Sequence, residues 1–140
     1  MQHAIDPMEQ ANLFYAAVCV LFLVVFGEAS TAKLREREVP EWFLNQFKDT
    51  WLSKFPLRAQ YRLIMVLELA VAGLFVAAIA TGEVWNDGAR PLMGYGLLLA
   101  STVFSMLCFG QRVSFDFTGA ASSFFYSALT LLLWFALSLA

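Results

Sequence analysis

The sequence predicts an all-α integral membrane protein: a bundle of four transmembrane helices, with a short amphipathic interfacial helix between the first and the second. Of the 140 residues, 60% are hydrophobic and 14% are charged, whereas a soluble domain carries about 25% charged residues. Four apolar stretches each approach the roughly 20 residues that a helix needs to cross the hydrocarbon core of a bilayer. Most charged residues lie between those stretches. We therefore treat residues 1–140 as a single membrane domain.

The boundaries of the spans follow from charge and from residues that start or stop helices. The four predicted spans cover residues 12–30, 62–81, 91–109 and 117–139. Pro91 suits the first turn of the third helix, where a backbone N–H would have no partner. Gly82 and Gly110 suit the ends of the second and third helices. Asp116 suits the N-cap of the fourth.

The distribution of Lys and Arg predicts the orientation. The first loop with its flanks and the third loop together hold eight of these residues, whereas the second loop holds only Arg90. Cytoplasmic loops carry an excess of Lys and Arg. We therefore expect a multi-pass protein of a bacterial-type inner (plasma) membrane, with loops 1 and 3 cytoplasmic and both termini outside. Residues 1–12 contain no Lys or Arg, so we expect no cleavable signal peptide.

A second helical pattern lies in the first loop, between Pro40 and Pro56. Aromatic residues recur there about every four positions, which predicts an amphipathic helix over about residues 41–55. The apolar residues of this interfacial helix are Trp42, Phe43, Phe47, Trp51 and Phe55. The pattern does not decide what the apolar face of this helix contacts: it can lie in the membrane interface or pack across the end of the bundle.

Glu68 is the only charged residue between Leu63 and Gly82. A carboxylate at such a depth costs about 2.5–3.5 kcal/mol on insertion scales, so it normally faces protein or water. The predicted topology brings polar residues of all four helices to the same end of the bundle. This expected polar cluster, which is also the candidate ligand pocket, consists of Glu28, Lys33, Glu68, Gln111, Arg112 and Asp116.

Two interpretations of the polar cluster stay open. In the first, a charge network holds the four helices together, with Lys33 or Arg112 as the partner of Glu68. In the second, the cluster forms a pocket that takes a quinone head group, a lipid head group or the end of a partner's helix. The expected aromatic walls of that pocket are Phe109, Phe115, Phe117 and Phe124.

Small residues predict where the helices approach closely. Gly119, Ser123 and Ser127 recur at four-residue spacing in the fourth span, and Gly73 and Ala77 do so in the second. Such stripes let membrane helices pack tightly. We expect both stripes to lie in the core of the bundle.

Several kinds of site are excluded by the residues present. His3 is the only histidine, so haem cannot be held by two histidines of this chain. No spacing typical of a zinc or iron site and no phosphate-binding loop occurs. Cys19 and Cys108 fall at different depths in different spans, which predicts two free thiols. We expect no metal, no cofactor held by the chain alone and no nucleic acid partner; catalytic residues stay unassigned.

Two short motifs resemble the DoxX-like family of four-helix membrane proteins. The sequence STAKL at residues 30–34 resembles the G-x-x-K-L end of the family's first helix, with Ser30 in place of the glycine. The sequence LELAVAG at residues 67–73 resembles the family's intramembrane Glu followed by Gly. The resemblance implies a four-helix bundle but no single activity: some members are associated with thiosulfate:quinone oxidoreductase or terminal oxidase complexes, and others look like accessory proteins of redox systems. Matched position by position, the resemblance assigns family residues only to Lys33 and Glu68.

These observations lead to two functional hypotheses. In the first, the chain is an accessory or assembly protein of a larger redox or respiratory membrane complex, acting through helix contacts and the polar cluster. In the second, it is the quinone-binding subunit of a membrane oxidoreductase, in which Glu68 exchanges the proton and Lys33 or Arg112 stabilises the head group. A partner would then supply the electrons. The expected partners are the lipid bilayer and other membrane protein subunits, and the oligomeric state stays open.

Overall fold

The chain folds into a four-helix membrane bundle with a short helix after the first span. The structure is a computed structural model that describes residues 5–139, so His3 lies outside it. The helices are α1 (Pro7–Arg35), α2 (Glu41–Phe47), α3 (Leu57–Ala80), α4 (Pro91–Val113) and α5 (Phe117–Leu139). All five except α2 are long and apolar enough to cross a membrane. The predicted fold class is therefore confirmed.

The first helix is longer at both ends than the predicted span of residues 12–30. Pro7 occupies its first turn, and the side chain of Asp6 accepts a hydrogen bond from the Met8 N–H at 3.2 Å. Lys33 and Arg35 lie in its last turn, where cations interact favourably with the negative end of the helix dipole. An apolar stretch predicts only the part of a helix that crosses the hydrocarbon, whereas the helix itself continues to its caps.

Two of the three predicted helix boundaries marked by Gly82, Gly110 and Asp116 are confirmed. Gly82 has a φ of 74° and follows the end of α3, a left-handed conformation that glycine adopts without strain. Asp116 caps α5, because its Oδ1 accepts a hydrogen bond from the Gly119 N–H at 3.0 Å. The prediction for Gly110 is wrong: α4 continues through it to Val113.

The helix α2 ends at Phe47 and does not reach residue 55 as predicted. The Thr50 N–H and hydroxyl both donate to the Phe47 carbonyl, at 3.0 and 2.7 Å. A side-chain bond of this kind offers the backbone an alternative to the helix, and a separate 3-10 helix follows at Trp51–Lys54. Phe43 and Phe47 are buried against Tyr61 of α3. Of the five aromatic residues predicted for the interfacial helix, Trp42, Trp51 and Phe55 stay exposed.

The long helices pack in chain order. The closest backbone approaches are between α1 and α3, α3 and α4, and α4 and α5, whereas the backbones of α1 and α5 lie farther apart. The main core lies among α1, α3 and α4, where Phe22 stacks on Phe75 at 5.1 Å between ring centroids and Phe26 packs on Phe104 at 5.2 Å. Cys19 belongs to this core, and its thiol is free, as is that of Cys108.

The stripe of small residues on α5 packs against α4, as predicted. Ser123 and Ser127 are buried. The Ser127 hydroxyl donates to the Ser101 carbonyl at 3.1 Å and lies 2.9 Å from the Ser105 hydroxyl. The prediction for the second stripe is wrong at Gly73, which faces outward on α3 with no atom within 4 Å of its Cβ position.

Gly96 of α4 lies directly against the ring of Phe75 of α3. A Cβ at this position would lie 3.0 Å from Cε2 of Phe75, and Phe75 is itself held by Phe22. We expect Gly96→Ala to cost about 1–3 kcal/mol of stability relative to the matched variant Gly73→Ala, because overpacking forces such neighbours to shift. Thermal unfolding in detergent measures the difference. Equal melting temperatures for the two variants would contradict the tight contact.

Candidate functional site

The six predicted site residues lie at one end of the bundle but do not form one cluster. This end, here called the polar end, is where α1 and α4 finish and α3 and α5 begin. The helix α2 packs across it through Phe43 and Phe47. The structure divides the six residues between an ion pair on α1 and α3, a hydrogen-bonded group on α4 and α5, and two exposed side chains.

The ion pair joins Lys33 of α1 to Glu68 of α3. Lys33 Nζ lies 2.9 Å from Glu68 Oε2 and 3.1 Å from Oε1, so both carboxylate oxygens accept from one ammonium group. The Glu68 side chain is 5% exposed and that of Lys33 is 20% exposed. Lys33 Nζ also lies 5.9 Å from the centroid of the Tyr61 ring. Of the two candidate partners, Lys33 is therefore the one that neutralises Glu68.

Further polar contacts join the end of α1 to the start of α3. The Tyr61 hydroxyl donates to Glu36 Oε2. The Arg62 guanidinium donates to the Arg37 carbonyl at 3.2 Å. Both bonds run between the segment just after α1 and the first turns of α3, so they support the geometry that brings Lys33 to Glu68.

The second group consists of Gln111 and Asp116 at the junction of α4 and α5. With its nitrogen turned toward α5, the Gln111 amide donates to the Gly119 carbonyl at 2.9 Å and to the Leu107 carbonyl at 3.1 Å, and it lies 2.6 Å from the Ser123 hydroxyl. Asp116 caps α5 through Gly119. This group therefore joins α4 to α5 and has no bond to the Lys33–Glu68 pair.

Glu28 and Arg112 take part in neither group. Glu28 is exposed on α1 and forms no ion pair within the described part of the chain. The Arg112 guanidinium lies 5.2 Å from the centroid of the Phe117 ring, a cation–π contact at the exposed start of α5. Neither residue faces Glu68 as a hydrogen-bonding partner.

A cavity of about 630 Å³ opens beside the second group, between α2, α3 and α4. We call it the polar-end cavity. Its lining residues are Trp42, Phe43, Gln46, Phe47, Leu52, Gln60, Leu63, Ile64, Thr102, Ser105, Met106, Leu107, Phe109, Gly110, Gln111 and Asp116. Of the four predicted aromatic walls, only Phe109 lines it. Glu68 does not line it, so this cavity is not the pocket that was expected around Glu68.

A second depression, the α1/α5 cleft, lies between α1 and α5, beside Phe104 of α4. Its volume is about 450 Å³. The residues that line it are Leu21, Phe22, Val25, Phe104, Tyr126, Leu129, Thr130 and Leu133. The cleft is almost entirely apolar. The Thr130 hydroxyl adds little free polarity, because it already donates to the Tyr126 carbonyl at 2.7 Å.

The opposite end of the bundle contains a buried acid that the sequence analysis missed. Glu83 accepts hydrogen bonds from the backbone N–H groups of Leu92 at 3.1 Å and Met93 at 2.9 Å. It thereby satisfies two donors at the start of α4 that have no partner within the helix. Nearby, the Arg90 guanidinium lies 4.0 Å from the centroid of the Tyr15 ring. No local spacing reveals this cap, because Glu83 and Met93 are brought together by the turn between α3 and α4.

The contacts found in these sites are hydrogen bonds, the Lys33–Glu68 ion pair and apolar packing. Within residues 5–139, no three His, Cys, Asp or Glu side chains lie close enough together to hold a metal ion. Comparison of the chain with protein-family models, curated proteins and solved structures found no match. The resemblance to the DoxX-like family therefore stays a prediction, and the function is argued from the geometry.

Proposed function

We propose that this chain is a non-catalytic accessory or assembly subunit of a larger membrane complex, acting through helix contacts. The observation that carries the proposal is the α1/α5 cleft, an apolar depression between the first and the last of the long helices. The backbones of these two helices lie farther apart than those of the closely packed pairs, which leaves a place for a further helix.

The state of Glu68 supports this proposal over the quinone alternative. A proton-exchanging acid must reach the quinone head group by a hydrogen bond. Both oxygens of Glu68 are bonded to Lys33, and Glu68 lines neither the polar-end cavity nor the α1/α5 cleft. The pair is thus suited to joining α1 to α3.

The spacing of the residues in the cleft supports a helix as the occupant. The α5 residues Tyr126, Leu129, Thr130 and Leu133 stand at positions i, i+3, i+4 and i+7, which form one stripe along a helix. Leu21 and Val25 of α1 stand four residues apart and form the facing side. Such parallel stripes form a groove into which the side chains of another helix can pack.

The membrane orientation and the kind of partner complex are argued from the distribution of Lys and Arg and from the resemblance to the DoxX-like family. The excess of Lys and Arg in the first and third loops supports a cytoplasmic polar end, with both termini on the outer side of a bacterial-type inner membrane. A redox or respiratory complex as the partner assembly rests on the DoxX-like motifs around Lys33 and Glu68 alone.

A tryptophan placed in the cleft tests the proposal. We expect Leu129→Trp to reduce the amount of partner protein that co-purifies from native membranes in mild detergent by about tenfold or more, the ratio that 1.4 kcal/mol of binding energy represents. The matched control is Val66→Trp, which enlarges an exposed residue of α3 outside the cleft. Co-purified proteins are quantified by mass spectrometry against the wild-type chain.

Two results would count against the accessory function. The first is that the wild-type chain purifies alone from its native membrane at every detergent strength. The second is that Leu129→Trp and Val66→Trp retain the same partner in equal amounts, which would move the contact away from the cleft. Displacement of lipid alone by Leu129→Trp would identify an acyl chain as the occupant and would also contradict the proposal.

A further inference from the structure

The polar-end cavity has a chemistry that the proposed accessory function does not use. Asp116 is the only ionisable residue among those that line it. None of the Lys and Arg side chains at this end, Lys33 and Arg112 included, belongs to the lining. A cavity with one carboxylate and no cation disfavours a phosphate or carboxylate head group, because like charges repel in a site of low dielectric constant.

The hydrogen bonds already made in the cavity show which groups are free. The Gln46 nitrogen donates to the Ser114 hydroxyl at 3.0 Å, and the Gln60 nitrogen donates to the Leu52 carbonyl at 3.0 Å. Gln111 turns its nitrogen toward α5. Oxygens of the lining that accept no hydrogen bond from the described residues include Oε1 of Gln46, Oε1 of Gln60 and Oδ2 of Asp116. Gln46 keeps one further N–H that no described residue accepts, so the free polar groups of the cavity are mostly acceptors, which a hydroxyl group can satisfy by donating.

The deeper part of the cavity suits an apolar body. Along α4 the lining runs from Thr102 to Gln111, nine residues or about 13 Å at 1.5 Å per residue. The Thr102 hydroxyl is bonded to the Leu98 carbonyl at 2.9 Å, so the deep end has little free polarity. The rim residues Trp42, Leu63 and Phe109 are exposed, which leaves the cavity open to amphiphiles dissolved in the membrane.

From this arrangement we propose that the polar-end cavity binds an uncharged amphiphile with a hydroxyl head group, whose O–H donates to the free oxygens and whose apolar body lies along α4. Acylglycerols and quinols share this chemistry. A quinone matches the cavity less well, because its carbonyl oxygens only accept hydrogen bonds and most free groups of the cavity accept them too. The proposal stands independently of the α1/α5 cleft and of the accessory function.

Matched pairs of probes test the requirement for a hydroxyl. The full-length chain in detergent is titrated with dioleoylglycerol or its O-methyl ether, and with decylubiquinol under anaerobic conditions or decylubiquinone. Bound probe is measured by native mass spectrometry. We expect the hydroxyl-bearing member of at least one pair to bind about tenfold more tightly than its partner, since sites that hydrogen-bond a ligand group discriminate strongly against its loss. The pair that responds identifies the source.

Variants locate the binding in the cavity. Ile64→Trp fills it and should abolish binding of the responding probe, whereas Val66→Trp, two residues away on an exposed face, should leave binding unchanged. Asp116→Asn retains the N-cap but replaces a free acceptor with a donor, so the preference for the hydroxyl should fall several-fold. Equal binding within both pairs, or undiminished binding to Ile64→Trp in a folded protein, would overturn the proposal.

Discussion

Replacing Lys33 with methionine should destabilise the bundle by about 3 kcal/mol, because removing one partner of a buried ion pair leaves the other charge uncompensated. Glu68 is 5% exposed and takes both of its hydrogen bonds from Lys33 Nζ. Replacing the other partner, in Glu68→Met, should reduce the stability of the bundle less. The Lys33 side chain is 20% exposed, so its ammonium group can extend toward water at the end of the helix.

The double variant separates the effect of an unpaired charge on stability from the effect of altered packing. Lys33→Met combined with Glu68→Met should recover most of the lost stability, because apolar residues of similar volume often replace a buried pair without cost. In a Cys108→Ser background, which removes the half-buried second thiol, labelling of the buried Cys19 thiol by a fluorescent maleimide during heating reports unfolding of all three variants. If the double variant melts no higher than Lys33→Met, the loss comes from packing around these residues and the ion-pair interpretation fails.

Removing the buried cap at the other end should have the second-largest effect. We expect Glu83→Ala to cost about 2–4 kcal/mol, since it leaves the N–H groups of Leu92 and Met93 without partners and each unsatisfied buried donor costs about 1–3 kcal/mol. It also removes a negative charge from the N-terminus of α4. The same thiol-labelling assay in detergent measures the change.

Asp87→Ala provides the matched control, because it removes an exposed acid from the same connection between α3 and α4. It should shift the melting temperature little. A similar loss of stability in both variants would mean that the connection responds to net charge, and the specific cap by Glu83 would then be unimportant.

The spans and the region of the site could be predicted from sequence, whereas the partners within the site could not. Hydropathy locates the four long helices, and the distribution of Lys and Arg groups the six polar residues at one end. Which of Lys33 and Arg112 meets Glu68 depends on how each helix is rotated about its axis. The sequence leaves that rotation open, and the packing of α1 against α3 decides it.

The errors at α2 and Gly110 have a similar cause. A regular aromatic pattern predicted one helix through residue 55, but the Thr50 hydroxyl bonds to the Phe47 carbonyl and the helix ends there. A glycine was expected to end α4, but Gly110 lies beside the ring of Phe47, and the helix continues past that contact. In both places a side chain or a neighbouring helix overrides the local signal.

The order of the chain has a consequence for how this protein enters the membrane. Lys33 precedes Glu68 by 35 residues, and a chain made from its N-terminus presents α1 before α3. The ammonium group is therefore at the membrane before the acid arrives. We therefore expect the Glu68 side chain to meet this counter-charge as its helix is inserted, which would lower the cost of placing a carboxylate among lipid chains at the step where that cost arises.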